Sequence, residues 1–394
     1  MDTSTRGSNT LREEVRSWLV DNVPLDWRAR QDGANVDGYV QAQREWLARL
    51  VQAGYATPHW PTGWPGGGRS LEDQVAIFEE MARADAPRMS LFFVSLYHAA
   101  MTLVEWGTEA QKQRHLHQIL RGEVWCQGFS EPNAGSDLAS LRTRAERRGD
   151  RYVVNGQKIW STLAHFADWC LLLVRTDGSG AKQAGITFLL MDMKSKGVEA
   201  RPIRQITGDE EFAEIFLTDV EIPVENLVGK ENEGWRVAQT TLASERGLTL
   251  VELSQRLLRA LDKLKVESQQ LGRPLDGQWR RGIVDLCSRV EGLRAMISQA
   301  TARRIAGEDR PGDASITKLA YTGILRDFVN LGLAINGESA QRCTPYTLGA
   351  GYETGNWMFD FMNSYQWSVA GGSNEIQRTL IAERVLGMPR EKLS

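Results

Sequence analysis

The chain has only four cysteines, Cys126, Cys170, Cys287 and Cys343, far apart and without a CxxC pair. This spacing speaks against a disulfide scaffold and a zinc site, and predicts reduced thiols in a cytoplasmic protein. Long apolar runs are missing too. The longest, such as WCLLLV and ITFLLM, are far too short to span a bilayer. The opening stretch MDTSTRGSNTLREEVRSWL is polar, then amphipathic, and lacks the apolar core of a signal peptide. Neither sign of charge dominates. A net charge of -3 and an isoelectric point near 6.1 argue against a nucleic-acid or membrane-surface protein. No repeat and no low-complexity tract is visible.

What is present is ordinary globular composition: 394 residues, 42% hydrophobic and 25% charged, enough chain for two or three domains. The densest basic stretch is RTRAERRGDR. Glu146 and Asp150 interrupt it, and it reads as a solvated turn running into a hairpin.

Residues 1–120 read as a helical domain. LREEVRSWLVDNV puts Leu11, Val15, Trp18 and Leu19 on one stripe. GYVQAQREWLARLVQAG predicts a helix ending at Gly54, and Ser70 is an N-cap candidate for SLEDQVAIFEEMARA. Thr108 with Gln111 three residues on forms a capping-box pattern. Between these helices HWPTGWPGGGRS reads as a loop pinned by Trp60 and Trp64.

Residues 121–230 change character and read as a compact β domain. Asn155-Gly156 in RYVVNGQKIWST predicts a type I′ hairpin. ADWCLLLVRTD, AGITFLLMDM and EIFLTDVEIP follow as strands. From 231 to 394 the period is helical again. One long pattern runs through EGWRVAQTTLASERGLTLVELSQRLLRALDKLK, and others cover 278–306, 313–336 and 374–386, predicting an antiparallel four-helix bundle. The fold class is α+β, in the order α, β, α.

The most specific stretch is WCQGFSEPNAGSDLASLRTRAERRGDRYVVNGQKIWST. Glu131-Pro132 ends an extended run, and Ala134-Gly135-Ser136-Asp137 makes a tight turn whose N–H groups and hydroxyl suit an acceptor-rich ligand. Taken alone, each of these features is a common turn.

Together, SEP-x-AGSD followed by NGxKxW-x-T resembles the flavin-binding region of the acyl-CoA dehydrogenase family. The resemblance extends to GTEAQKQRHLHQILRGE and GGSNEIQRTLIAERVLG, so it covers nearly the whole chain. It implies FAD bound without a Rossmann unit, which agrees with the absence of a strand–GxGxxG–helix pattern. By position, it implies that Gln127, Phe129 and Ser130 contact the flavin ring through backbone or hydroxyl. Gly135 and Ser136 would hold the pyrophosphate, Trp160 would lie against the isoalloxazine, and Thr162 would bond near N5. Read without the resemblance, Trp160 is a core aromatic at a strand end.

The reaction implied is α,β-desaturation of an acyl-CoA or acyl-carrier-protein thioester, an oxidoreductase step in fatty acid or lipid metabolism. A carboxylate takes the α-proton and flavin N5 takes the β-hydride. The base needs a pKa raised to about 6 to 7. Many relatives place it in the C-terminal motif, which here reads SVAGGSNEIQR and has Gly371 at that position. A second branch, including isovaleryl-CoA dehydrogenases, places it on a bundle helix directly before an arginine. Glu245-Arg246 in TTLASERGLTLVEL matches that pattern, so the resemblance implies Glu245 as base and Arg246 beside the substrate. Gly371 would then donate its backbone N–H to the thioester oxygen. The bland alternative for Glu245 is a solvated helix position paired with a neighbour.

Two departures stand out. The position of the arginine that reaches a neighbouring subunit's FAD pyrophosphate is Ser268, shortly before the turn Leu271-Gly272-Arg273. The QxxGGxG segment is replaced by LGLAINGESAQR. Ser373 and Glu375 remain as FAD contacts at a subunit interface, or as a helix N-cap with a companion acid. The partners implied are an electron-transfer flavoprotein and a tetramer, homomeric or heteromeric, with no metal. Alternatives are the Glu-bearing half of a heteromeric dehydrogenase, a flavin oxidase or oxygenase, and a helical scaffold without flavin.

Overall fold

Leu11, Val15 and Leu19 recur on one stripe and all three are buried, so the chain begins as a long amphipathic helix, α1 (Thr3–Asn22). The computed structural model describes residues 3–30, 36–244, 248–272, 277–342 and 356–390. After α1 come α2 (Trp27–Arg30), α3 (Val36–Ala53) and α4 (Leu71–Arg83). A one-turn π-helix, Val94–Ala99, leads into α5 (Ala100–Trp106) and α6 (Glu109–Leu120). The strands are β1 (Trp125–Gly128), β2 (Arg144–Arg148), β3 (Arg151–Thr162), β4 (Trp169–Arg175), β5 (Ile186–Asp192), β6 (Val198–Ile203), β7 (Phe212–Pro223) and β8 (Leu227–Val228). Helices α7 (Gly234–Ser244), α8 (Leu248–Gln270), α9 (Gly277–Ile305), α10 (Asp313–Asn336), α11 (Trp357–Val369) and α12 (Asn374–Arg384) complete the chain. The order is helical, then β, then helical.

Two compact units emerge. The first comprises Met1–Ala34, Gly68–Arg88 and Arg246–Ser394, and its elements among the described residues are all helical. Within it α8, α9 and α10 pack side by side around Leu257, Leu261, Val290, Leu325 and Phe328. α4 packs on α8, and α1 on α4, where Arg16 donates twice to the buried Glu80 at 3.0 Å. α11 is an addition to the four bundle helices expected from the pattern. Its sequence, WMFDFMNSYQWSV, mixes aromatic and polar residues without a clean stripe, yet it packs on α10 with Trp357 against Phe328.

The second unit comprises Asn35–Gly67 and Met89–Glu245 and carries the sheet. Its strand order is β6-β7-β3-β2-β4-β5-β8, with β1 paired to β4. β1 and β2 run parallel to β4; the other pairs are antiparallel. β4 and β5 are apolar at nearly every position and buried on both faces. Cys126 and Cys170 are register neighbours on β1 and β4, both buried and both free.

Both capping signals form. Ser70 accepts from the Asp73 N–H, and the Thr108–Gln111 box closes reciprocally. The Gln111 amide also donates to the Glu225 and Leu227 carbonyls, tying α6 to the end of β7 and to β8. Trp60 is buried with its indole N–H on the Leu96 carbonyl, while Trp64 packs against Trp60 and His117.

The hairpin expected at Asn155-Gly156 is corrected. β3 runs straight through these residues, and the reversal lies at Gly149-Asp150, between Arg148 and its register partner Arg151. Gly149 takes a positive φ of 64°, as a tight turn demands. The charged run RAERR is thus strand β2, not the solvated turn its composition suggested. Asn155-Gly156 marks a register shift against β7. A side chain at Gly156 would come within 2.7 Å of the Thr143 Cα, so glycine is required by close approach.

Candidate functional site

The SEPNAGSD turn is built from its ends. Glu131 and Ala134 exchange backbone hydrogen bonds at 3.1 and 3.0 Å, which closes a two-residue reversal over Pro132 and Asn133. Gly135 and Ser136 follow on the exposed side, and their N–H groups have no protein acceptor among the described residues. Space above Gly135 is open: an added Cβ there would meet nothing within 4 Å. The nearby carboxylate of Asp137 is answered by Lys182 at 2.9 Å and by the Ser140 hydroxyl. An anion at the turn therefore meets two amides, a hydroxyl and a neutralised acid, a fit for a pyrophosphate.

Arg175, at the end of β4, holds the following loop. Its guanidinium donates to the Ala139 carbonyl at 2.7 Å and the Leu141 carbonyl at 3.4 Å, and also to the carbonyls of Lys182 and Ala184.

One residue does more than any other to assemble the region. Glu131 is 9% exposed, and its carboxylate accepts from the Arg142 N–H at 2.6 Å, the Thr143 N–H at 2.8 Å and Lys158 Nζ at 2.8 Å. Lys158, fully buried on β3, also donates to the Phe129 carbonyl at 3.1 Å. Burial pushes the Glu131 carboxyl up, but the Lys158 charge and these hydrogen bonds outweigh it and hold it below the ordinary carboxylate value. Full burial draws the Lys158 ammonium below its ordinary value, with the Glu131 charge opposing. Three donors converge on the carboxylate, and we assign the ionised pair. Both residues stand in the SEP and NGxKxW strings, but the sequence assigns neither a place at the site. The available signal is a lysine on the inward phase of β3, in step with the buried Tyr152 and Val154, which calls for a buried acid.

Two residues beyond Lys158, β3 distorts. Its register against β7 shifts between Lys158 and Ser161. Trp160 has φ of 61° and Leu163 φ of 50°, left-handed values that are uncommon for bulky residues. The distortion turns the Trp160 indole outward, 56% exposed, with its edge to Phe212 at 6.1 Å. The core-aromatic reading of Trp160 is thereby overturned. Strain on a large exposed aromatic is characteristic of a binding position. Thr162 follows, half-buried, in register with Phe212.

On β1, Gln127 alternates with the buried Cys126 and Gly128 and is half-buried. The Phe129 side chain is buried edge-on to Phe188, and its carbonyl accepts from Lys158. Ser130 is half-buried, and its carbonyl accepts from the Ile159 N–H at 2.9 Å. The π-helix packs against both β1 and α7, and Ser95 joins it to β1 by donating to the Glu123 carbonyl and accepting from the Trp125 N–H. Single π turns recur at functional sites.

Ser373, Glu375, Gly371 and Ser268 lie in the helical unit. Ser373 is the N-cap of α12 and accepts from the Ile376 N–H at 3.3 Å. Glu375, in the first turn, is exposed and pairs with Arg378 at 3.2 Å. Gly371 has φ of 63°, so this backbone suits glycine whatever else happens there. Ser268 is fully buried on α8, not at a surface from which a side chain reaches a neighbour. Glu245, Arg246 and Arg273 lie outside the described residues. Among the described residues no helix is long and apolar enough to cross a membrane, and no cluster of metal-ligating side chains occurs.

Comparison with known proteins covers the same ground. Three family models match in order: acyl-CoA dehydrogenase N-terminal domain at 5–123, middle domain at 126–220 and C-terminal domain at 232–386. The chain is 38% identical to acyl-CoA dehydrogenase IpdE1 of Mycolicibacterium smegmatis, across 97% of this chain and 98% of that one. Among solved structures, the Tcur3481-Tcur3483 steroid ACAD superposes with a TM-score of 0.85 at 31% identity, covering 99% of each chain. The ChsE4-ChsE5 complex from Mycobacterium tuberculosis gives 0.83 at 29% identity, covering 99% of this chain and 100% of that one.

Proposed function

The chain belongs to the acyl-CoA dehydrogenase family, and from that premise we propose that it desaturates an acyl-CoA thioester between Cα and Cβ using FAD, with Glu245 as the base. The observation that carries this reading is the fastening of the SEPNAGSD turn to the Trp160 strand through Glu131 and Lys158. The two halves of the flavin motif are thereby one rigid piece of the chain.

In this reading Gly135 and Ser136 hold the pyrophosphate with free amides and a hydroxyl. Trp160 covers the ring system, Gln127, Phe129 and Ser130 line it, and Thr162 bonds at its edge. FAD, when bound, supplies the hydride acceptor at N5. Glu245 removes the α-proton. The Gly371 N–H donates to the thioester oxygen, where negative charge builds as the proton leaves. Arg246 orients the Glu245 carboxylate or lies beside the substrate. Glu245 takes the base role because the usual position in the last motif is Gly371, which has no side chain.

The test is an anaerobic titration of the yellow protein with a panel of acyl-CoAs, a steroid-derived thioester among them, while flavin bleaching is followed. Glu245→Gln is expected to slow bleaching by about 100-fold or more. A variant that bleaches as fast as wild type removes Glu245 from the mechanism.

A second reading is favoured by one observation, the buried Ser268 at the place of the family's subunit-bridging arginine. The chain is then the Glu-bearing half of a heteromeric dehydrogenase, and a related subunit completes the FAD site. Ser373 and Glu375 contact FAD at the subunit interface in either reading. The assembly is a tetramer that delivers electrons to an electron-transfer flavoprotein.

A further inference from the structure

We propose that Glu131 and Lys158 are a positioning pair for the flavin: a buried ion pair whose task is to hold the pyrophosphate turn and the Trp160 strand in fixed relation. The inference rests on the flavoprotein reading above and concerns residues that do not themselves touch the reacting atoms.

A single carboxylate fastens three separate stretches of chain. Its Oε2 takes the Arg142 N–H, and its Oε1 takes both the Thr143 N–H and Lys158 Nζ. Glu131 itself opens the Gly135-Ser136 turn, and residues 142 and 143 close the loop that follows it. One side chain therefore clamps both ends of the segment that would carry the pyrophosphate. Lys158 adds the third stretch, β3, and returns to the start of the turn through the Phe129 carbonyl. The neighbouring bond from Ile159 N–H to the Ser130 carbonyl, 2.9 Å, runs in parallel. Trp160 and Thr162 lie only two and four residues beyond Lys158, on backbone that is already left-handed at Trp160. A strained segment keeps its shape only where its surroundings over-determine it.

Burial makes the arrangement costly. An ion pair removed from water returns little net stability, and an apolar pair of similar volume is often as stable. What an apolar pair cannot do is orient three chain segments through directional bonds. The chemistry thus favours a positioning role over a purely stabilising one, and the two make different predictions.

The experiment compares wild type with Glu131→Asp, Glu131→Gln, Lys158→Met and the double variant Glu131→Gln/Lys158→Met. Three quantities are read: the Tm of the apoprotein, the Kd for FAD by fluorescence titration, and the visible circular dichroism of bound flavin. Each single charge removal leaves its partner buried and unpaired, and is expected to lower Tm. The double variant recovers Tm, because no buried charge remains. Its Kd for FAD stays raised by about tenfold or more, and the dichroism of the bound flavin stays altered. Glu131→Asp keeps the charge but withdraws the carboxylate by one methylene. It is expected to keep Tm near wild type while raising Kd for FAD. The proposal is overturned if Kd simply follows Tm across the series, or if all folded variants bind FAD as wild type does. It is also overturned if no variant folds, Glu131→Asp included, since the pair is then a stability element. Should wild type itself bind no FAD, the flavoprotein reading fails first and takes this inference with it.

Discussion

Trp160 stands edge-on to Phe212 with ring centroids 6.1 Å apart, yet more than half of its surface is open to solvent. The contact joins β3 to the first residue of β7 at the point where their register has just shifted. An exposed indole earns little from burial, and its left-handed backbone costs on the order of 1 kcal/mol or more. This combination makes function and stability separable at one residue.

Trp160→Gly is expected to leave Tm unchanged or to raise it, since glycine relieves the positive φ. FAD binding should weaken. Differential scanning fluorimetry of the apoprotein and a flavin titration check the two halves. A large fall in Tm with unchanged FAD affinity makes Trp160 a structural residue.

Acid should destabilise the sheet-bearing unit before carboxylates titrate. Burial lowers His98 to about 4 and lowers His59 to about 4 against the Leu96 carbonyl bond. A depressed folded value means that the unfolded chain binds protons first. The contribution is therefore whole above about 6.5 and lost as pH falls from there towards about 4, roughly 3 kcal/mol per histidine. Chemical denaturation between pH 7 and 4 measures the slope. His59→Gln and His98→Gln should each flatten it; a slope that neither variant changes rules out these histidines as its source.

Gly156→Ala should destabilise by about 1–3 kcal/mol, because the new methyl meets the Thr143 backbone at 2.7 Å and the backbone must shift. Thr143 is also a donor to Glu131, so Kd for FAD should rise with it. Urea denaturation and flavin titration read both. A neutral outcome means the β2–β3 segment yields more easily than its packing implies.

Placing an arginine at position 268, where the resemblance expects one, should fail. Ser268→Arg places a charge in a fully buried position of α8 and is expected to cost about 3 kcal/mol or more. It should bring no gain in FAD content. A folded Ser268→Arg protein that retains more FAD than wild type shows instead that only the side chain was missing.

Much of this molecule is legible locally. The stripe of α1, the Ser70 cap and the Thr108–Gln111 box depend on residues three or four apart, and each appears as its spacing demands. The bounds of α10, Asp313–Asn336, coincide with the range read from periodicity. The failures share a cause. Asn155-Gly156 carries a strong hairpin signal, but the turn went to Gly149-Asp150 because β7 pairs along the whole of β3 and Thr143 crowds Gly156. α11 has no clean stripe and owes its place to aromatic packing on α10.

The candidate site divides the same way. Sequence by itself determined which residues belong to the motif, because the family resemblance runs through short contiguous strings whose order survives any folding detail. It also leaves position 371, where the resemblance expects a base, as a glycine without a side chain. Only the tertiary structure decided that Trp160 faces outward, that Gly371 has a left-handed backbone, and that Ser268 is interior. It alone joined Glu131 to Lys158, residues 27 apart in the chain. The physical reason is that burial and ion pairing are set by long-range strand contacts, and no local spacing encodes which distant partner will satisfy a buried charge.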